Sequence, residues 1–233
     1  HNKQFIGLTC IWDQKKIIMF KDRTDAGLLL VKKLSNYHNN KDAVVVTIPR
    51  GGIPLGYVIA KGLHLPLELV LSKKIGHPLH KEFAIGAVTL TDRILSDAAN
   101  DISRIYIEEE TSRIRTILKE RQDGYYDTRK PISFKNKIVI VVDDGVATGN
   151  TLMSSIKLIE KQKPSQIIVA LPVGPPSVIE KIKNIPYVND TICLLVPENF
   201  GAVGQFYKNF DPIKDNEVVT LLEKANTTFQ LNI

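Results

Sequence analysis

Short, uniformly apolar runs alternate along the chain with segments in which apolar residues recur at helical spacing. The apolar runs are rich in β-branched residues and are predicted to be strands, over residues 43–48, 67–71, 137–142, 166–171 and 191–196. The periodic segments are predicted to be helices, over residues 53–61, 101–122, 151–161, 177–184 and 216–224. Strands that are apolar throughout and separated by helices indicate a parallel sheet covered on both faces. The predicted fold is therefore α/β, a doubly wound parallel sheet.

Two stretches interrupt this alternation. Residues 73–97 mix His, Pro, Gly and charged residues, with only a short strand-like piece at 87–90, and are predicted to form a long loop or a hairpin. Residues 197–215 are rich in Gly, Pro and aromatic side chains. We expect both stretches at the carboxyl ends of strands, where open α/β sheets bind their ligands.

Composition narrows the class of protein without naming a function. The 233 residues are 43% hydrophobic and 24% charged, which is ordinary for a globular domain with a sizeable core. No apolar run approaches the roughly 20 residues that cross a bilayer, and the first residues lack the block order of a signal peptide, so we expect a cytoplasmic protein. Cys10 and Cys193 have no zinc-ligand neighbours and are expected to be buried apolar residues.

The net charge of +6 is spread along the chain. It is compatible with a solvated lysine-rich surface and with attraction of an anionic ligand. No basic stripe is interleaved with aromatic residues, so nucleic acid is not an expected partner.

The most informative segment runs over residues 139–152, with the sequence VIVVDDGVATGNTL. It combines a buried strand that ends in Asp143 and Asp144, a loop of small residues, and a helix. The loop amides, the hydroxyls of Thr148 and Thr151 and the positive end of the helix can surround a phosphate. Two adjacent carboxylates repel phosphate and instead suit vicinal hydroxyls or a magnesium environment. One junction thus suits a ribose 5-phosphate, and it lacks the Gly-Lys-Ser/Thr of a Walker A loop.

This segment resembles the motif with which type I phosphoribosyltransferases bind 5-phosphoribosyl-1-pyrophosphate (PRPP). The shared features are four apolar residues, two acids, a short linker and a Thr-Gly-x-Thr loop. The resemblance implies that Asp143 and Asp144 hold the ribose 2′ and 3′ hydroxyls and, through water, Mg²⁺. It also implies that the 5′-phosphate is bound by Ala147, Thr148, Gly149, Asn150 and Thr151. The alternative is an ordinary Asp-Asp turn between a strand and a helix.

A second loop follows the first apolar strand, with the sequence TIPRGG over residues 47–52. Its glycines let the backbone approach an anion closely, and Arg50 adds a fixed charge. Alone it is as compatible with an ordinary strand-to-helix turn. Beside the first motif it looks like the family's pyrophosphate loop, formed here by Arg50, Gly51 and Gly52.

Basic residues also follow the second predicted strand. The resemblance implies that Lys73 or Lys74 meets pyrophosphate and acts with Arg50 in catalysis. The adjoining stretch would be a flexible loop that closes over the site and contributes His77 and Lys81. His77 is equally compatible with an exposed loop histidine.

The likeness extends further, through residues 20–27, 73–78 and 197–207, to a predicted phosphoribosyltransferase subgroup of bacteria and archaea. It runs from about Met19 nearly to the C-terminus, so residues 1–18 would be an extension or an added segment and residues 19–233 the domain. In this family a variable hood, here from about residue 197, selects the acceptor. Its aromatic side chains either stack on the acceptor or pack the hood itself; they are Phe200, Phe206 and Tyr207.

The resemblance implies an enzyme, expected to be a homodimer, that uses PRPP and Mg²⁺. It would transfer the 5-phosphoribosyl group to a nitrogenous base or another small nucleophile and release pyrophosphate. Ala147 stands where 6-oxopurine transferases usually have an aspartate, which argues against hypoxanthine or guanine. Two alternatives remain at this point: a PRPP-sensing regulator of RNA, DNA or a protein partner, and a phosphohydrolase. Arg50 and the two lysines favour the enzyme, because a sensor has no leaving pyrophosphate to stabilise.

Overall fold

The computed structural model describes residues 19–126 and 130–230. Its strands are β1 (Ala43–Thr47), β2 (Leu67–Leu69), β3 (Lys73–Gly76), β4 (Ala84–Val88), β5 (Arg93–Leu95), β6 (Ile138–Val142), β7 (Gln166–Val173) and β8 (Asp190–Leu195). Its helices are α1 (Arg23–Lys33), α2 (Ile53–Leu63), α3 (Arg104–Tyr126), α4 (Asn150–Glu160), α5 (Pro176–Lys183) and α6 (Asp215–Gln230). In these parts of the chain, no helix is both long and apolar enough to cross a bilayer.

Five strands form one sheet in the order β2-β1-β6-β7-β8, and every neighbouring pair is parallel. Alternate residues of β1 and β6 enter different apolar layers, so both faces of the sheet are buried. Helices α1, α2 and α6 cover one face, and α4 and α5 cover the other. The prediction of a doubly wound parallel sheet is therefore confirmed.

A second, antiparallel sheet in the order β3-β4-β5 occupies most of the stretch predicted as a long loop or hairpin. It packs against α3 through a third apolar cluster that includes Ile75, Ile85 and Ile114. The prediction needs two corrections. Lys73 and Lys74 lie in β3 rather than at the start of a loop, and the strand-like piece expected at 87–90 is β4, which starts three residues earlier. Short strands of an antiparallel sheet carry too few apolar residues to be recognised by periodicity.

Helix α1 was not predicted. Its N-cap is Asp22, whose side chain accepts a hydrogen bond from the amide of Asp25, and the Asp25 carboxylate accepts one from Lys21. Just before it, Phe20 pairs with the hood: its amide donates to the Phe206 carbonyl (2.8 Å) and its carbonyl accepts from Lys208 (2.9 Å). The start of α1 is thereby fixed beside the hood.

The predicted hood begins after β8. In the structure, residues 197–214 contain one short 3-10 turn, Val203–Phe206, and lead into α6, which is longer than the predicted helix. Residues 1–18, expected to be an extension or an added segment, lie outside the described residues.

The close packing of α2 on β1 depends on Gly56. A Cβ atom at this position would lie 2.0 Å from Cγ2 of the fully buried Thr47, closer than any carbon contact allows. We expect Gly56→Ala to lower the free energy of unfolding by about 1–3 kcal/mol through overpacking. Thermal or urea denaturation measures this loss.

Gly124→Ala is the matched control. Gly124 lies in α3, and a Cβ there would meet nothing within 4 Å. Since alanine is the better helix former, this variant should gain up to about 1 kcal/mol. Equal effects of the two substitutions would contradict this account of the α2–β1 contact.

Candidate functional site

The site is built on the carboxyl end of β6. Asp143 and Asp144 follow Val142 directly, and both are half-buried. The Asp144 amide donates to Oδ1 of Asp143 (2.9 Å), which turns the chain and holds the first carboxylate against the start of the loop. A strand that is buried on both faces thus ends in two acids at the edge of the sheet where α/β proteins bind ligands.

Asp144 is held from two sides. The Nε and Nη2 atoms of Arg23 both lie 2.9 Å from its Oδ2 atom. The hydroxyl of Tyr207 donates to its backbone carbonyl (2.6 Å). Burial raises the pKa of Tyr207, so this hydroxyl stays protonated and remains a donor.

Each acid uses one carboxylate oxygen inside the protein and leaves the other uncommitted. Oδ1 of Asp143 accepts from the backbone, and Oδ2 of Asp144 accepts from Arg23. Within residues 19–126 and 130–230, no hydrogen bond reaches Oδ2 of Asp143 or Oδ1 of Asp144. The pair therefore offers two acceptor oxygens on adjacent residues.

The loop after β1 lies against this acid pair, because β1 and β6 are neighbours in the sheet, with Thr47 opposite Val142. A Cβ atom on Gly51 would lie 2.3 Å from Oδ2 of Asp144, and one on Gly52 would lie 2.9 Å from the Val142 carbonyl. Only glycine permits this approach. The peptide bond between Pro49 and Arg50 is cis.

Arg50 itself is mostly exposed. Its Nη1 atom lies 3.7 Å from Oδ2 of Asp215, at the start of α6, and the other oxygen of Asp215 accepts from the Tyr125 hydroxyl. Burial and this carboxylate raise the pKa of Tyr125 to about 12. Such an exposed ion pair is weak, so the guanidinium can exchange this partner for an anion in the site.

The loop between β6 and α4 presents a run of backbone donors. The amides of Val146 and Met153, on either side, bond to Val173 and Gly149. Within the part of the chain that the structure describes, the first five amides after Val146 have no acceptor; they belong to Ala147, Thr148, Gly149, Asn150 and Thr151. Gly149, with φ of +79°, turns the chain into α4, and the other four residues are exposed. This is the arrangement in which helix N-termini bind anions.

The two predicted catalytic lysines are not joined to the acid pair by any hydrogen bond or ion pair within the described residues. As neighbours in β3, they point to opposite faces of the small sheet. Lys74 pairs with Glu82 across the hairpin (2.7 Å), which lowers the pKa of Glu82. Lys73 is half-buried.

The predicted flexible loop is the β3–β4 turn. His77 is half-buried and accepts a hydrogen bond from the Leu79 amide (3.2 Å), and its ring lies 5.7 Å from that of His80. Lys81 donates to the Tyr106 hydroxyl (2.7 Å), which fixes the turn to α3. Among the residues that the structure describes, neither His77 nor Lys81 makes a hydrogen bond or ion pair with the acid pair.

The hood aromatics differ in their exposure. Phe206 and Tyr207 are only 2% and 4% exposed, and Phe206 stacks on Phe200 at 5.4 Å between ring centroids. Phe200 is half-buried and is the one of the three predicted residues with surface left for a ligand. Tyr207 stacks instead on Phe210, whose other neighbour is the Arg23 guanidinium.

Arg23 and Phe210 were missed as site residues. The guanidinium carbon of Arg23 lies 3.9 Å from the centre of the Phe210 ring. Arg23 belongs to the stretch of residues 20–27 that stands out in the sequence, but its partner Asp144 lies 121 positions away. No local pattern reveals such a contact.

Burial dominates the electrostatics of the acid pair. It raises the pKa of Asp143 well above the usual range, and the neighbouring Asp144 charge raises it further. Burial also raises the pKa of Asp144, while the Arg23 charge opposes that shift. The ionised pair therefore costs the folded protein stability.

This cost predicts that Asp143→Asn stabilises the fold. Because the pKa of Asp143 is higher in the folded than in the unfolded chain, its ionised form is destabilising above the raised pKa. The cost disappears as pH falls through that value. Since Asn keeps the oxygen that accepts from Asp144, we expect a gain of about 1 kcal/mol at pH 8, or roughly 2–4 °C in Tm. The gain should shrink towards pH 5.

Thermal denaturation of both proteins across this pH range measures the effect. Asp101→Asn is the control, because Asp101 is exposed and makes no hydrogen bond within the described residues. The Tm of this variant should equal that of the unmodified protein. A lower Tm for Asp143→Asn at pH 8 would show that the ionised carboxylate is stabilising and that the burial argument is wrong.

The side chains at the site can be compared with those that the magnesium ion implied by the sequence resemblance would need. Within the described residues, no group of three or more His, Cys, Asp or Glu side chains is placed to hold a metal. Mg²⁺, however, commonly binds through one or two carboxylates together with waters and substrate phosphates. The free oxygens of Asp143 and Asp144 fit that role.

Comparison with known proteins places this architecture in a family. The model of the phosphoribosyl transferase domain matches residues 24–210. A Mycobacterium tuberculosis protein (strain CDC 1551 / Oshkosh) named "Putative phosphoribosyl transferase MT0597" is 32% identical over 217 residues, 91% of this chain and 48% of the relative. A relative from strain H37Rv matches to the same extent. The chain thus spans about half the length of the curated relatives it matches.

Among solved structures, TT1426 from Thermus thermophilus is similar over 88% of this chain and 98% of its own length. It has a TM-score of 0.79 and 33% sequence identity. The family match covers β1, β6 and the loops that follow them, which are the elements that form the site. The chain belongs to the phosphoribosyl transferase domain family.

Proposed function

We propose that the protein is a phosphoribosyltransferase that binds PRPP with Mg²⁺. It transfers the 5-phosphoribosyl group to a nitrogenous base or another small nucleophile and releases pyrophosphate. The observation that carries the proposal is a pair of carboxylate oxygens on Asp143 and Asp144, beside five backbone amides, all without a partner among residues 19–126 and 130–230. A vicinal diol can donate to the two carboxylate oxygens, and a phosphate can accept from the five amides.

The ribose end of PRPP is assigned to the acid pair. The 2′ and 3′ hydroxyls donate to Oδ2 of Asp143 and Oδ1 of Asp144, the two oxygens without a partner within the described residues. Hydrogen bonds to carboxylates are stronger than neutral ones, at about 1.5–3 kcal/mol each. The 5′-phosphate accepts from the amides between Ala147 and Thr151, and the hydroxyls of Thr148 and Thr151 add two donors.

The pyrophosphate end is assigned to the loop after β1. Gly51 and Gly52 bring that loop against the acid pair, which sets the ribose and the leaving group side by side. As the bond between C1 and the pyrophosphate oxygen breaks, the nucleophile's nitrogen bonds to C1 from the opposite face. The electron pair of the broken bond leaves with pyrophosphate, and the proton of the attacking nitrogen passes to water. Arg50, released from Asp215, stabilises the charge that develops.

Mg²⁺, held by waters on Asp143 and Asp144 and by the substrate's oxygens, would neutralise part of the charge on the leaving group. The remaining contribution comes from the protein. The two loops orient both ends of PRPP, and closure of the β3–β4 turn would exclude water, which would otherwise hydrolyse PRPP.

The acceptor is assigned to the side of the site that the hood covers. Phe200 keeps exposed ring surface there, and it is backed by the buried Phe206. A planar base could stack on such a rigid ring. Ala147 offers no carboxylate to take a proton from a base, so the acceptor is expected to be other than a 6-oxopurine.

The function is tested by incubating the protein with PRPP, Mg²⁺ and a panel of bases, and measuring pyrophosphate. We expect release that depends on one of the bases. Release without any base would indicate hydrolysis, and tight PRPP binding without release would indicate a sensor. Either result contradicts the proposal.

The double variant Asp143→Asn/Asp144→Asn is the control for that assay. Because Asn cannot offer the same charged acceptors, PRPP affinity should fall by about 100-fold or more. Calorimetry measures the affinity, and thermal denaturation verifies that the variant is folded. Unchanged affinity would refute the assignment of the ribose hydroxyls to the two acids.

The lysines are tested one at a time, since adjacent strand residues face opposite ways. We expect one of Lys73→Ala and Lys74→Ala to lower kcat by about 100-fold, as for loss of a donor to developing charge, with little change in PRPP affinity. The other should change kcat by about threefold or less. Equal losses from both, or a loss confined to KM, would exclude the role in stabilising the leaving group.

A further inference from the structure

Arg23 is a buried cation whose three guanidinium nitrogens each bond to another part of the protein. Its Nε and Nη2 atoms bond to Oδ2 of Asp144, and Nη1 donates to the Asp211 carbonyl at 2.8 Å. Its side chain is 10% exposed, and its flat face lies on Phe210. Because all three nitrogens already bond to the protein and the ring of Phe210 covers one face, Arg23 can act through the groups that it holds.

Those groups belong to two parts of the site that are distant in the sequence. Asp144 belongs to the acid pair after β6, whereas Phe210 and Asp211 belong to the hood after β8. Arg23, at the first position of α1, bonds to both. A third connection runs from the hood to the acid pair through the hydroxyl of Tyr207 on the Asp144 carbonyl.

The ion pair with Arg23 also determines which carboxylate oxygen of Asp144 is available to a ligand. Both Arg23 donors lie on Oδ2, on the side where a Cβ on Gly51 would come within 2.3 Å of that oxygen. The two bonds from the guanidinium to Oδ2 restrain rotation of the carboxylate. Oδ1 is left as the oxygen for a hydroxyl.

We propose that Arg23 is a positioning residue for ribose recognition: it orients Asp144 towards one sugar hydroxyl and ties that carboxylate to the hood. The inference rests on the proposed function, because it assumes that Asp144 accepts from ribose. Lysine can replace arginine only in part, since its ammonium group has no flat face for Phe210 and no second nitrogen with which to bond Asp144 and Asp211 from separate atoms.

The test compares the affinities of ribose 5-phosphate and of its analogues that lack the 2- or the 3-hydroxyl, by calorimetry. For the unmodified protein, we expect each missing hydroxyl to weaken binding by about tenfold or more. In Arg23→Gln, removal of one of the two hydroxyls from the sugar should change the affinity by no more than about twofold. Removal of the other hydroxyl should weaken binding as much as it does in the unmodified protein. Arg23→Lys should lie between these values. The phosphate is bound by the loop amides, so the affinity for the analogue that lacks the affected hydroxyl should not change.

Arg113→Gln is the matched control, because it breaks an arginine–carboxylate pair on α3 (2.6 Å to Glu110) that involves neither the acid pair nor the hood. It should leave both preferences unchanged. A residue that only stabilised the fold would lower Tm without changing the choice between analogues. Should Arg23→Gln be too unstable to study, Arg23→Lys gives the same comparison.

The outcomes separate this inference from the function on which it rests. If the unmodified protein prefers ribose 5-phosphate and Arg23→Gln and Arg23→Lys keep both preferences, Arg23 has no part in ribose recognition and the proposed function stands. If the unmodified protein does not distinguish the three sugars, the assignment of the hydroxyls to the acid pair is wrong, and the role of Arg23 is overturned with it.

Discussion

The site depends on two neighbouring carboxylates that are kept half-buried at the end of a fully buried strand. Like charges in such a position repel each other and lose hydration, and both effects work against the fold. The protein offsets them with one backbone hydrogen bond to Asp143 and with the two bonds from Arg23 to Asp144. What remains is a pair of oriented, negatively charged acceptors, which neither an apolar pair nor a pair of neutral amides could supply. The instability is localised where the chemistry is proposed to occur.

Sheet topology determines what can meet these acids. Because β1 lies next to β6, the loops that follow them emerge side by side, although about 90 residues separate them in the sequence. Contact between the loops then requires small residues, and Gly51 and Gly52 supply them. The same reasoning explains Gly145, with φ of +151°, where a Cβ would lie 2.7 Å from Val203 of the hood. The acid pair is thus enclosed by glycines on one side and by the hood on the other.

The sequence predicted those features that depend on local chemistry. Five apolar strands and five of the helices were predicted within a few residues of their ends, apart from α6, which extends six residues beyond its predicted end. The loop at residues 147–151 was placed correctly between β6 and α4, and its role in binding an anion stays a prediction. Helix α1 was missed because Leu28 and Leu29, in the middle of its apolar run, are exposed, which obscures the spacing of the buried Ala26 and Leu30. Its cap, in which Asp22 precedes Asp25 by three residues, was the usable signal.

Other features depend on contacts between distant segments, and no local pattern contains them. An aromatic residue in a Gly-rich stretch can pack inward or face a ligand, so burial of Phe206 and Tyr207 was decided only by their neighbours Phe200, Phe20 and Phe210. For the same reason Lys73 and Lys74 could not be assigned to opposite faces before β3 was known.

The range matched by the family model does not include every residue that holds the acid pair. The match begins at Thr24, one residue after Arg23, and ends at Phe210, the ring on which Arg23 lies. Arg23, just before the matched range, therefore supplies the cation that pairs with Asp144 inside that range. Since Phe20, Lys208 and Asn209 join that segment to the hood by backbone hydrogen bonds, the cation cannot move independently of the hood. Under the proposed function, a change in the hood that admits a different acceptor must preserve this attachment, or else disturb Asp144 at the same time.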